Sequence, residues 1–165
     1  MTTTAAPPDQ HKVAPARLRA GHRSIIAQAT RYLGAVAVLV TGVAHIEQYA
    51  VDNYSTVPTI GTLFLVNFIV AVVTAVGLIA PLRRLTGRYR DAVRAVFALG
   101  GIGLAVLSLA ALFVSESSGL FGFVEHGYRM AIVVAIVAEV AAIVFLVAFL
   151  FANGTGLREV RGSSR

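Results

Sequence analysis

GYRMAIVVAIVAEVAAIVFLVAFLFA, residues 127–152, is an almost unbroken run of hydrocarbon side chains with one carboxylate, Glu139, near its middle. A helix needs about 20 mostly apolar residues, at about 1.5 Å of rise each, to cross roughly 30 Å of hydrocarbon. This run meets that requirement, and so do three others, near Tyr32–Val51, Ile60–Leu82 and Ala92–Val114. The whole chain is 57% hydrophobic with a mean hydropathy of +0.78, whereas a soluble domain is roughly 45–50% apolar. The expected fold is an all-α membrane protein with four transmembrane helices in an antiparallel bundle.

Little chain remains outside the spans. Residues 1–30 read as a polar, basic tail with the Pro and Ala content of a disordered segment, and LRAGHRSIIAQATRYL at its end could form an interfacial helix. Residues 31–152 carry the four spans, and 153–165 form a second short tail. That leaves no room for a separate soluble catalytic domain. Because Met1–Arg31 is polar and basic rather than apolar, no cleaved leader is expected and the first span should stay in place. The absence of cysteine excludes disulfide exchange, thiolate metal ligation and S-acylation, and with them the quinone-linked thiol oxidoreductases.

The charges set an orientation. Lys12, Arg17, Arg19, Arg23 and Arg31 precede the first span; Arg83, Arg84, Arg88, Arg90 and Arg94 separate the second from the third; Arg158, Arg161 and Arg165 follow the fourth. The other two connections hold only Arg129. Since basic residues collect on the cytoplasmic side, both termini are expected there. Topology, with attraction to anionic headgroups worth about 1 kcal/mol per residue, accounts for the +6 net charge. No element suited to reading bases accompanies it, so nucleic acid is not an expected partner. Thirteen arginines against one lysine, with abundant Ala, Val and Gly, suggest a high-GC genome and hence a bacterial inner (plasma) membrane.

Helices in lipid associate through close packing of small residues and through polar contacts. Gly101, Ala105 and Ser108 share one stripe of the third span, and Gly34, Gly42 and Gly77 offer similar surfaces on the others.

An acid within a span is costly and therefore a functional hypothesis. Glu139 lies about 15 Å beyond Arg129 at helical rise, near the midplane. Hydrocarbon disfavours its charged form, and the neutral acid can both donate and accept. Thr41 and Asn67 fall at similar depth and would complete a buried polar layer linking spans one, two and four. Two readings stay open, a neutral packing hydrogen bond between helices and a proton-carrying or ligand-binding group.

At the outer rim lie His45, Glu47, Asp52, Glu116, Glu125 and His126. Imidazole and carboxylates together can bind a divalent metal or relay protons, which makes His45, Glu125 and His126 candidate ligands. His45 and Glu47, two apart on a helix, point about 200° from each other and cannot chelate one ion. His45, about 9 Å inside the boundary, is expected to face the bundle, with Glu47 in the wet interface. No spaced metal signature supports the set, and no P-loop, GxSxG, HExxH or dinucleotide fingerprint is present, so no cofactor is indicated. His45 is the one histidine clearly within a span, which leaves no pair for haem.

HIEQYAVDNYSTVPTIGTLFLVN and GLFGFVEHGYR resemble segments of small four-helix membrane proteins of actinobacteria that have no assigned function. The likeness rests on Ile60, Gly61, Leu63, Phe64 and Asn67, and on Gly119, Phe121, Gly122, Phe123 and Glu125. It covers the spans and neither tail, and it implies the architecture without an activity. The role expected first is accessory or ligand-binding, either within a larger membrane complex or homo-oligomer or by holding a small molecule. The alternatives are a proton- or cation-coupled carrier using Glu139, and an oxidoreductase subunit binding quinone or metal. An enzyme in its own right is not expected.

Overall fold

The computed structural model describes residues 13–57, 59–82, 87–122 and 129–162. They form four helices, α1 (Val13–Ala50), α2 (Ile60–Ile79), α3 (Gly87–Ser117) and α4 (Met130–Gly162), with a single 3₁₀ turn at Tyr54–Thr56. All four contain a stretch long and apolar enough to cross a membrane. Their outward faces carry Val36, Val43, Val73, Val76, Leu107, Phe113 and Val137, each more than half exposed. A contiguous apolar surface of this kind suits hydrocarbon and not water.

Local chemistry ends the first three helices. Past Ala50, Asn53 takes a left-handed conformation (φ 61°), which asparagine tolerates better than most residues and which no α-helix can continue through. α2 stops two residues before Pro81, which cannot donate to the helical ladder. Gly119, with φ 80°, follows the last turn of α3 in the position where only glycine reverses the chain without strain. α1 runs unbroken from Val13, so the segment before the first span is helical and continuous with it.

The helices close into a ring, each packed on its chain neighbours, with α1 against α4 the most extensive interface. A glycine lies on every side of that ring. A Cβ on Gly34 of α1 would sit 2.5 Å from Leu146 Cδ2 of α4, and one on Gly101 of α3 would sit 2.8 Å from Leu146 Cδ1. Leu146, fully buried, is therefore held between two helices by missing side chains. Gly42 plays the same part against Ala71 between α1 and α2, and Gly77 against the ring of Phe97 between α2 and α3. Around Leu146 the core is Ala35, Val38, Ala75, Leu78, Ala142 and Phe149.

At one end of the bundle Arg129, just before α4, pairs with Asp52 at 3.4 Å and donates to the Tyr54 hydroxyl. The Arg129 guanidinium also lies over the Tyr54 ring, 5.2 Å from its centroid.

Leu146→Ala should destabilise the bundle by about 2–5 kcal/mol through the void it leaves. Gly34→Ala should also destabilise it, but much less in the Leu146→Ala background, with a coupling of about 0.5–3 kcal/mol. Denaturant unfolding in detergent micelles, followed by circular dichroism, measures this, and strictly additive penalties would contradict the seating of Leu146.

Candidate functional site

Towards the Asp52 end the glycines give way to larger and polar side chains, and the ring opens around a cavity of about 300 Å³. Most of its wall is apolar: Ile60, Leu63 and Phe64 from α2, Leu104, Leu107 and Leu112 from α3, Ile132 and Ile136 from α4, among others. His45, Gln48, Asn67, Ser108, Ser115 and Glu139 interrupt it. Leu63, Val66 and Leu107 line the cavity and are also exposed on the outside of the bundle, Leu107 by 71%. The opening therefore lies between α2 and α3 on the lateral, apolar flank.

His45 faces inward because Thr41, Gly42, Ala44 and Gln48 share its buried face of α1. Its Nδ1 lies 2.9 Å from the Thr41 carbonyl oxygen. A carbonyl can only accept, so Nδ1 carries the proton and, in the neutral ring, Nε2 is an acceptor. Ser108 Oγ, 3.1 Å away on α3, then donates to Nε2. Ser108 also interacts with the Glu139 carboxyl of α4. With its one proton given to His45, Ser108 meets that carboxyl as an acceptor, and the network is complete when Glu139 is the neutral acid. Glu139 Oε1 stands 4.0 Å from His45 Nε2, beyond hydrogen-bonding distance, and has no hydrogen-bond partner.

Rings hold the imidazole from the Asp52 end. Phe64 meets His45 edge-on, with centroids 5.1 Å apart at 89°, and Tyr54 packs on Phe64 at 5.0 Å. Gly61 makes room for this column, since a Cβ there would press on the Tyr54 carbonyl.

The sequence candidates separate on this geometry. His45, Asn67 and Glu139, from α1, α2 and α4, line one cavity and are 6%, 8% and 2% exposed. Asn67 Oδ1, like Glu139 Oε1, is without a hydrogen-bond partner. Thr41 is buried at the same level, yet it enters the network through its main-chain carbonyl, and its hydroxyl has no partner and does not line the cavity. Glu47 is on the exposed face of α1. Asp52 is engaged by Arg129, and Glu116 is half-buried near the end of α3. Glu125 and His126 lie outside the described residues. Among the described residues no group of three His, Asp or Glu side chains is placed to hold a metal ion.

Sequence reading passed over Gln48 and gave Ser108 a packing role only. Gln48 follows from the helical spacing that turns His45 inward, three residues further on the same face. Ser108 lies on the small-residue stripe of α3, and a stripe chosen for close packing necessarily points its hydroxyl at the neighbouring helices. Compared with protein families, curated proteins and solved structures, the chain matches none.

The tautomer is directly observable. In protein labelled with ¹⁵N-histidine in lipid, the His45 resonances should show a protonated Nδ1 and an unprotonated Nε2, and Ser108→Ala should shift Nε2 far more than Nδ1. A proton on Nε2 with Nδ1 bare would overturn the assignment.

Proposed function

We propose that this protein binds a small, lipid-soluble molecule within the membrane, taking it from the bilayer through the gap between α2 and α3. The supporting observation is the cavity itself: apolar walls, a lateral opening flanked by Leu63, Val66 and Leu107, and three deeply buried polar side chains converging from three helices. Its volume is at the lower end of the range of about 300–1,000 Å³ usual for small-molecule sites, and few polar groups among many apolar ones is the usual composition of such sites. Glu139 and Asn67 keep acceptor atoms unsatisfied in a place where an unpaired polar group costs about 1–3 kcal/mol. A ligand that supplies the missing partners removes that cost.

The four spans sit as an antiparallel bundle in a bacterial inner membrane with both termini cytoplasmic, which puts the cavity in the outer half of the bilayer. The distribution of arginine supports this orientation.

Mild-detergent purification followed by native mass spectrometry tests the ligand. Wild-type protein should carry an additional small mass that Ala111→Phe, which fills the cavity from α3, loses while keeping its helicity and thermal stability. Protein that emerges with no bound mass, or an Ala111→Phe protein that retains it, would overturn the reading.

Orientation has its own test, since the cysteine-free chain accepts single reporter cysteines. In intact cells an impermeant maleimide should label Ser118→Cys and reach Gly87→Cys only after permeabilisation; the reverse pattern would invert the topology.

A further inference from the structure

The hydrogen-bonding inventory of the cavity narrows the chemistry of the ligand, given that the cavity is a binding site. Three of its donors are spent within the protein. His45 Nδ1–H is given to the Thr41 carbonyl, the Ser108 hydroxyl to His45 Nε2, and the Gln48 amide Nε2 to the Ala44 carbonyl at 3.2 Å. Acceptors remain. Glu139 Oε1 and Asn67 Oδ1, on side chains more than nine-tenths buried, have no hydrogen-bond partner. A head group rich in donors complements these two acceptors.

Charge narrows it further. The titratable side chains lining the cavity, among the described residues, are Glu139 on α4 and His45 on α1; α2 contributes neutral Asn67, and α3 neutral Ser108 and Ser115. Arg129, the basic group at this end, is engaged with Asp52 and Tyr54 and does not line the cavity. The carboxyl can therefore be balanced in two ways, by keeping its own proton or by receiving a cation. An ammonium supplies three donors and one positive charge, against one donor and no charge for an alcohol.

We infer that the cavity takes a lipophilic amine, whose ammonium group replaces the proton of Glu139 and donates hydrogen bonds to Glu139 and Asn67, while its hydrocarbon body fills the apolar wall. The exchange balances. The Glu139 O–H bond breaks, the proton leaves to water, and the positive charge of the ammonium takes its place, so the net charge of the site is unchanged. Ser108 then turns its hydroxyl from His45 towards the carboxylate or keeps it where it is; neither choice changes the charge of the site. Exchange of one proton per amine is a one-for-one competition, so ligand affinity should rise by about tenfold per pH unit wherever the empty site holds its proton and the amine remains charged.

Three cage compounds of nearly equal shape provide the probes: adamantan-1-amine, adamantan-1-ol and adamantane-1-carboxylate. Calorimetric titration of the purified protein in lipid nanodiscs, with protein-free nanodiscs subtracted, should show that the amine binds, that it releases protons into a weak buffer, and that the alcohol binds more weakly without release. Glu139→Gln should lose amine binding by about tenfold to a hundredfold, the loss expected for one charge-assisted hydrogen bond, and should release no protons. Helicity and thermal stability of that variant should match those of the wild type, which shows that the bundle survives the substitution. The comparison of the three probes on the wild-type protein stands without any variant. If the alcohol binds as tightly as the amine, or the amine binds without proton release, the amine assignment fails while the cavity remains a ligand site. If no probe binds, the amine assignment fails again, and the co-purified mass decides separately whether the cavity holds another compound.

Discussion

Leu146, seated against the bare backbone of Gly34 on one side and Gly101 on the other, brings three helices to a distance that no larger side chain would permit. In lipid the hydrophobic effect does little to press helices together, so contact area won by close approach is what holds the ring. Gly77 against Phe97 and Gly42 against Ala71 complete the circuit. Where these contacts stop, towards the Asp52 end, the helices carry Phe64, Leu107, Leu112 and Ile136, which keep their backbones apart and leave the cavity between them. One end of the molecule is closed because its interfaces lack side chains; the other is open because they have them.

Polar groups in the open half are arranged by the same economy of hydrogen bonds. The Thr41 carbonyl already belongs to the helix and accepts a second hydrogen bond from His45, which settles the tautomer and points Nε2 across the bundle to Ser108. Glu139 then completes a line running through α1, α3 and α4, with one carboxyl oxygen left over. The column of Arg129, Tyr54, Phe64 and His45 steadies this line from the surface and ties the 51–59 connection to the start of α4. A bonded and stacked network on this side, with an opening between α2 and α3 on the other, suits a site that is largely formed before its occupant arrives.

Much of this was legible in the chain. Apolar runs marked the four helices, and the two-residue offset of His45 and Glu47 sent one into the bundle and the other to its surface, where the structure has them. Residue type and depth alone singled out Glu139 and Asn67. Thr41 illustrates the limit, because depth placed it at the right level but could not say that its carbonyl, and not its hydroxyl, would do the bonding. Ser108 illustrates another, since a small residue on a packing face reads the same whether or not a partner waits across the gap.

The sequence by itself determined that there are four apolar helices, where polar residues fall along each, and which face of α1 is buried, because length, depth and angular position are properties of one helix at a time. Tertiary structure alone decided that His45, Ser108 and Glu139 meet, that Asn67 joins the same cavity while Glu47 does not, and that the wall opens sideways between α2 and α3. Those outcomes depend on the order of helices around the ring and on the distances between their axes. Both are set by which glycine faces which side chain, and a pairing between helices cannot be read from either partner alone.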